Sequence, residues 1–262
     1  MKSTNNKNKK EDDKQGNKTR LDNRQTMVSS AIRELVGRPE KRDGIYKTIE
    51  ASYLAGHRST IREIEEREEL ESRGINPDFD RVVFRNDLKK QAILNDVWLE
   101  KSYLDDKKLR HDHAKAATSE NDIYENPDGK TLTKVNNLSH VKGTEHKINL
   151  LAFIDRLAAH NVLFPNVAYD IKGFMDNKQG FTSMVMEQPY VNVSRNATQE
   201  EIDKYLFNRG FRLEGKTLKY WTNDVYIIED ARPANVLKGK DGNLYFIDTI
   251  PHSVEYFKMN AR

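Results

Sequence analysis

The 262-residue chain contains no cysteine. Disulfide bonds, a thiolate nucleophile and a cysteine-ligated metal are therefore excluded. The chain also has no apolar run that approaches the roughly 20 residues of a membrane span. The polar residues 1–18 lack the apolar core of a signal peptide. We therefore expect a soluble cytoplasmic protein with no membrane partner.

An excess of charge of one sign is also missing. Asp, Glu, Lys and Arg make up 32% of the residues, yet the 44 basic and 41 acidic side chains leave a net charge of only +3. The mean hydropathy is −0.86 and the pI is about 8.8. Such a mixed-sign surface argues against nucleic acid as a partner. Residues 1–26 are almost entirely polar, so we predict a disordered tail there.

Apolar residues at helical spacing dominate residues 27–110, and we predict a helical extension over this range. In its last predicted helix, residues 86–106, the apolar side chains form one stripe: Ile93, Leu94, Val97, Trp98 and Leu104. We interpret Trp98 as a packing residue. No residue of the extension matches a known catalytic pattern.

The period of the apolar pattern changes near Asn121. Two short strands joined by an Asn-Pro-Asp-Gly turn precede a long apolar helix, which Thr144 caps. A second hairpin follows, then a helix capped by Thr198, and further short strands. This order of elements predicts an α+β fold.

Two motifs near the C-terminal end carry candidate chemistry. EDARPANVL places a carboxylate, Asp230, five residues before an amide, Asn235, and YFIDT interrupts an apolar strand with Asp248. Phosphoryl transfer from a nucleotide needs a residue that positions the acceptor hydroxyl and oxygen ligands that hold magnesium. Asp230 fits the first task, and Asn235 with Asp248 fits the second. The alternative is a local turn with bonds to the backbone, which does not explain the acid within a strand.

The order D-x-R-P-x-N, with Arg232 at its third position, resembles the catalytic loop of protein kinases, and Asp248 resembles their metal-binding aspartate. In kinases a strand lysine contacts the phosphates and pairs with a glutamate of the following helix. Lys134 lies on the last strand before the long helix and matches that lysine. Its partner is either Glu145, in the first turn, or Asp155, in the middle of the helix. We favour Glu145.

Glu187 and Gln188, in MVMEQPYV, resemble the strand end and hinge that bind an adenine in kinases. Together with HNVLF, residues 160–164, these segments resemble the kinase-like domain of polyvalent proteins, which phages and other mobile genetic elements carry. The resemblance covers residues 111–258. It implies ATP and Mg²⁺ as cofactors.

The fold that this resemblance implies is a reduced protein-kinase-like two-lobe fold behind the N-terminal helical extension. The small lobe would span residues 111–190, and a reduced large lobe would span residues 191–258. Because the chain ends soon after Asp248, we expect no activation segment. Glu229 stands where kinases place an arginine that reads a phosphorylated activation loop, so we expect no such switch.

A glycine-rich loop is the main missing feature. No G-x-G-x-x-G precedes Lys134, and the segment expected to cover the phosphates is residues 115–121, with Ser119 as a candidate phosphate ligand. This absence favours a pseudokinase that binds a nucleotide or a partner protein without catalysis. The complete set of Asp230, Asn235 and Asp248 opposes that alternative.

The preferred hypothesis is an ATP- and Mg²⁺-dependent phosphotransferase that acts on a protein Ser, Thr or Tyr or on a small hydroxyl compound. Asp230 would orient the hydroxyl, and Lys134 would hold the phosphates. Arg232 would neutralise charge on the γ-phosphoryl group. Asn235 and Asp248 would hold Mg²⁺.

Overall fold

The computed structural model describes residues 43–52, 82–111, 120–138, 150–215 and 219–255. The helices in these ranges are α1 (residues 43–52), α2 (Val82–Leu94), α3 (Leu150–Leu163) and α4 (Gln199–Phe207). The strands are β1 (Lys108–His111), β2 (Asn121–Glu125), β3 (Thr131–Asn136), β4 (Asp170–Asp176), β5 (Thr182–Pro189), β6 (Val193–Asn196), β7 (Arg212–Glu214), β8 (Tyr220–Thr222), β9 (Tyr226–Glu229), β10 (Val236–Gly239), β11 (Leu244–Phe246) and β12 (Ile250–Ser253). No helix in the described ranges is long and apolar enough to span a membrane.

Several predicted features lie outside the described residues. They are the tail over residues 1–26, the Thr144 cap and two candidate site residues, Ser119 and Glu145. The predicted division between residues 110 and 111 falls within β1.

Strands β1 to β5 form one antiparallel sheet in the order β1-β2-β3-β5-β4. Both predicted hairpins, β2–β3 and β4–β5, are present. Gly129 (φ 63°) and Gly180 (φ 81°) adopt the left-handed backbone of their turns, a conformation that favours glycine. The strand β3 lies in the middle of the sheet, where Lys134 pairs with Ile123 of β2 and Met186 of β5.

One face of this sheet packs against α3, with α1 and α2 in the same core. The sequence of α3 is apolar on most of its circumference, so burial on several sides stabilises it. The helices and the sheet share these buried side chains: Ile45, Ile49, Leu88, Ala92, Phe153, Ile154, Leu157, Phe174, Met184 and Met186. Each large apolar side chain that is fully buried stabilises the fold by about 1.5–3 kcal/mol. The N-terminal helices α1 and α2 are therefore part of the body that holds Lys134.

The predicted continuous helix over residues 86–106 is wrong, because α2 ends at Leu94. Asp96 adopts left-handed backbone (φ 56°), and the N–H of Val97 donates to the carbonyl of Ala92 at 2.9 Å. These features form a Schellman motif, which closes the C-terminus of a helix. The turn reverses the chain before the rest of the predicted stripe is reached.

This turn also divides the predicted apolar stripe. Ile93 and Leu94 are 55% and 68% exposed, so they do not face a core. Trp98 forms a bridge to Phe174 of β4, and Leu104 packs on the other face of the sheet. Trp98 is a packing residue, as predicted.

The second half of the chain forms two smaller antiparallel sheets, β11-β10-β6 and β12-β9-β8-β7. Helix α4 begins as predicted after Thr198, which forms a capping box with Glu201. Phe164, after α3, stacks on Phe246 of β11 with 4.3 Å between ring centroids. This contact joins the end of α3 to the core of the second half.

Candidate active site

The loop between β9 and β10 carries Asp230 and Asn235. Glu229 ends β9 and pairs with Ile250 of β12, and Val236 begins β10. Asp230 has left-handed backbone (φ 55°), which aspartate tolerates better than most residues. The Asn235 amide donates to the Asp230 carbonyl at 2.9 Å and to Asp230 Oδ2 at 2.8 Å. The two predicted site residues therefore hold the loop in shape.

Arg232 pairs with Asp230 within the same loop. Its Nε lies 2.7 Å from Asp230 Oδ1, and its side chain is 62% exposed. Both carboxylate oxygens of Asp230 therefore have a partner: Arg232 contacts Oδ1 through Nε and Oδ2 through Nη2, and Asn235 also donates to Oδ2. A carboxylate offers about four lone-pair positions. Asp230 can therefore still accept a hydrogen bond from a hydroxyl.

The hairpin of β10 and β11 brings Asn235 and Asp248 to the same end. Val236 pairs with Phe246, and the N–H of Ile247 donates to the Asn235 carbonyl at 3.0 Å. Asp248 is the next residue, and its side chain is 49% exposed. The two predicted oxygen ligands therefore lie at the same end of the hairpin, where Asp248 is half-exposed and Asn235, at 7% exposure, is buried.

Lys134 reaches this end from the five-stranded sheet. Its side chain is buried, and Nζ donates to the Ile247 carbonyl at 3.4 Å and to the Tyr169 hydroxyl at 3.3 Å. The Tyr169 hydroxyl donates to the same carbonyl at 2.8 Å. Because Ile247 immediately precedes Asp248, the lysine and the aspartate lie at one strand end. No carboxylate contacts Lys134 among the described residues, which do not include Glu145.

A second cation, Arg156 of α3, faces Asp248. Its Nη2 lies 3.8 Å from Asp248 Oδ1, and its Nη1 lies 3.3 Å from Glu120 Oε2. The Arg156 side chain is only 11% exposed. Sequence reasoning missed this residue. A charged side chain within an apolar helix was the available signal, because such a group needs a partner.

The neighbouring Asp155 has a different set of partners. It accepts hydrogen bonds from the Ser253 hydroxyl at 2.6 Å and the Ser253 N–H at 3.1 Å, and it lies 3.0 Å from His252 Nδ1. Both partners belong to β12. Asp155 is therefore engaged by the strand that follows Asp248, and it makes no contact with Lys134 in the described structure.

His160 supports the site from within the core. It is buried, and its Nε2 lies 2.7 Å from the Phe246 carbonyl oxygen, so Nε2 carries the proton. Burial lowers the pKa of His160 to about 3; the bond to Phe246 opposes this, and the charges of Lys134 and Arg156 add to it. The imidazole is therefore neutral near pH 7. Its role is to position β11.

Glu187 and Gln188 lie at the end of β5, and their side chains are engaged in the fold. The Glu187 carboxylate pairs with Lys172 at 2.9 Å and accepts from the Tyr103 hydroxyl at 3.1 Å. The Gln188 amide donates to the Val167 carbonyl at 2.8 Å. An adenine at this strand end would therefore meet backbone groups rather than these two side chains.

The donor chemistry of Asn235 and Asp248 fits a magnesium ion. The side-chain amide nitrogen of Asn235 donates to Asp230. The amide oxygen of Asn235, Oδ1, is therefore left for a cation. Asp248 adds a half-exposed carboxylate. The described residues contain no cluster of three or more His, Asp or Glu side chains that could hold a metal. Two oxygen ligands suit Mg²⁺, which usually keeps several waters and binds substrate phosphates as well.

Comparison with protein-family models identifies the family of the chain. A family model, described as a serine/threonine/tyrosine kinase found in polyvalent proteins, matches residues 85–253. The match covers more than half of the chain, so the chain belongs to this family of kinase-like domains. The mixture of helices and antiparallel sheets is compatible with a kinase-like α+β fold. No curated protein matches the chain.

Proposed function

We propose that the chain is an ATP- and Mg²⁺-dependent phosphotransferase. The observation that carries the proposal is the meeting of Lys134 with the strand end of Asp248 through the Ile247 carbonyl. This contact links residues 113 positions apart in sequence. It brings a buried ammonium to Ile247, which precedes one candidate metal ligand, Asp248, and bonds the backbone of the other, Asn235. In the proposed arrangement, residues 111–190 form the small lobe and residues 191–258 the reduced large lobe.

Each site residue has a task that its surroundings support. Lys134 neutralises phosphate charge, and its burial strengthens that interaction. Asp230 accepts the hydrogen bond of the acceptor hydroxyl and orients its oxygen. Arg232 is exposed and close enough to Asp230 to contact the transferred phosphoryl group. The acceptor is a protein Ser, Thr or Tyr or a small hydroxyl compound.

Asn235 and Asp248 would hold the magnesium ion. When bound, Mg²⁺ supplies neutralisation of the phosphate charge. The Asn235 side chain also fixes Asp230, so the ligand and the hydroxyl-orienting residue are coupled by direct hydrogen bonds.

The direct test is turnover of radiolabelled ATP by the purified full chain in the presence of MgCl₂, with Asp230→Asn as the comparison. Asparagine keeps the left-handed backbone but not the charge. We expect label on the protein itself or released phosphate, reduced on the order of a thousandfold in the variant. Equal turnover by both proteins would show that the activity does not depend on Asp230 and would overturn the proposal.

The second candidate function is a pseudokinase, which binds nucleotide or scaffolds a partner without catalysis. It is favoured by the occupation of both Asp230 carboxylate oxygens by Arg232 and Asn235. A nucleotide-binding pseudokinase predicts no released phosphate in the turnover assay, whereas ATP raises the melting temperature of the wild-type protein in a separate thermal unfolding measurement. If the protein neither binds nor turns over ATP, the phosphotransferase and the nucleotide-binding pseudokinase are both excluded.

A further inference from the structure

Arg156 has an environment that its contacts in the described structure do not explain. It is buried, and each of its two ion pairs is long, 3.3 Å to Glu120 and 3.8 Å to Asp248. Removing a guanidinium from water costs several kcal/mol, and only close pairing with good geometry offsets that cost. A well-formed pair between arginine and carboxylate is about 2.7–2.9 Å long. Stability alone is therefore a poor reason for an arginine at this position.

Arg156 and Lys134 approach neighbouring residues, Asp248 and Ile247. Charges of both cations act on the buried ring of His160, whose Nε2 bonds the carbonyl of Phe246, two residues before Asp248. Lys134 approaches the β11 end through the Ile247 carbonyl, and Arg156 approaches it through the Asp248 carboxylate. Two cations from separate elements, β3 and α3, thus converge on one strand end.

Two converging cations are the pattern expected of a polyphosphate site. Guanidinium presents a planar fork of N–H donors that matches a phosphate group, whereas ammonium acts as a compact charge. The chain has no glycine-rich sequence before Lys134 whose backbone N–H groups could bind the phosphates. A side chain that donates several hydrogen bonds would supply what that loop lacks. Glu120 contacts the Nη1 atom and so leaves Nη2 directed at the site.

We propose that Arg156 is a second phosphate-binding residue, which grips the phosphate chain of the nucleotide beside Lys134, with Glu120 as its positioning residue. The inference rests on the proposed function, since it concerns the same nucleotide. It assigns to α3 a cation that contacts the nucleotide directly. The loose contact with Asp248 is then the resting position of a side chain that turns to the phosphates when they bind.

The experiment separates the phosphate chain from the rest of the nucleotide. Binding of ATP, inorganic tripolyphosphate and adenosine to the full chain is measured by calorimetric titration for the wild-type protein, Arg156→Gln and Arg156→Lys. Loss of charge-assisted hydrogen bonds weakens binding by roughly 10- to 100-fold. We expect this loss for ATP and tripolyphosphate with Arg156→Gln, a smaller loss with Arg156→Lys, and unchanged affinity for adenosine.

Two controls keep the result interpretable. Arg195→Gln removes another arginine that is paired with a glutamate, Glu201, on the exposed strand β6 and should leave all three affinities unchanged. Glu120→Gln should weaken ATP binding less than Arg156→Gln, because it only releases the arginine. Melting temperatures without ligand report whether each variant is folded.

Three outcomes overturn the inference. If Arg156→Gln binds ATP as well as the wild-type protein does, Arg156 does not contact phosphate. If ATP and adenosine lose affinity equally, its role is structural. If the wild-type protein binds neither ATP nor tripolyphosphate, the proposed function fails as well, and that result is distinct from the first two.

Discussion

The ammonium of Lys134 lies 3.4 Å from the carbonyl oxygen of Ile247, the residue immediately before Asp248. The Tyr169 hydroxyl donates to the same oxygen at 2.8 Å and receives a hydrogen bond from the lysine at 3.3 Å. Three residues that are far apart in sequence, Lys134, Tyr169 and Ile247, thus meet at the Ile247 carbonyl oxygen. The position of Asp248 therefore depends on the side chains of Lys134 and Tyr169.

Replacing Lys134 with Met separates its charge from its packing. Methionine has a similar length and suits a buried position, so we expect little change in melting temperature. Loss of the ammonium should lower ATP turnover on the order of a hundredfold. Lys130→Met, at an exposed position near the β2–β3 turn, is the matched control and should retain turnover. Wild-type turnover in Lys134→Met would contradict the role of this lysine.

Removing the Tyr169 hydroxyl tests the connection itself. In Tyr169→Phe the Ile247 carbonyl and Lys134 each lose a buried partner, so we expect the free energy of unfolding to fall by about 1–3 kcal/mol. The KM for ATP should rise, because Lys134 is no longer oriented. Tyr245→Phe removes an exposed hydroxyl that bonds Asp241 and serves as the control. Equal KM values for ATP in Tyr169→Phe and the wild-type protein would show that the hydroxyl does not position the lysine.

The left-handed backbone of Asp230 has a distinctive consequence for stability. Left-handed backbone costs residues with a Cβ about 1–2 kcal/mol, and glycine escapes this cost. We expect the free energy of unfolding of Asp230→Gly to exceed that of Asp230→Ala by about 1 kcal/mol. Neither variant should turn over ATP. Unfolding in urea measures the order. If Asp230→Ala is as stable as Asp230→Gly or more stable, the backbone at this position is not left-handed in solution.

Much of this arrangement could be predicted from local sequence. The turns around Gly129 and Gly180 and the Thr198 cap need specific residue types at fixed positions, and the structure has them where the sequence placed them. The loop from Asp230 to Asn235 and Asp248 were candidates because of their residue types and order. The short β10–β11 hairpin then brings Asn235 and Asp248 to the same end.

Long-range contacts could not be predicted in the same way. The end of α2 depends on Asp96, which looks in sequence like one polar residue within a continuing helix. The approach of Arg156 to Asp248 and of Tyr169 to Ile247 depends on how α3 and the sheet pack, and no spacing encodes that. From the sequence, an acid at position 155 within an apolar helix indicates only that it needs a partner. In the structure its partners are His252 and Ser253 of β12.

Asp155 is expected to be a stability residue. Asp155→Ala removes the buried carboxylate that accepts from the Ser253 N–H and hydroxyl, so we expect a loss of about 2–4 kcal/mol in the free energy of unfolding. Ser253→Ala should cost less, because one of the two Ser253 donors remains. The double variant should lose less than the sum, because both changes remove the same hydrogen bond. Additive losses would show that the two side chains do not interact.

Stability should also depend on pH through His160. Burial lowers the pKa of this ring to about 3 in the folded protein, whereas an unfolded histidine titrates near about 6.5. Between these values the unfolded chain binds a proton that the folded chain does not. The free energy of unfolding therefore falls as the pH drops below about 6.5, by about 1.4 kcal/mol per pH unit from this residue.

His160→Gln isolates that contribution, because glutamine can donate to the Phe246 carbonyl but does not titrate. We expect the wild-type protein to lose about 2 kcal/mol more than the variant between pH 7.5 and pH 5. Urea unfolding of both proteins at the two pH values measures this difference, and the carboxylates common to both proteins cancel. Parallel losses in the two proteins would mean that His160 titrates normally, and hence that it is not buried against β11 as described.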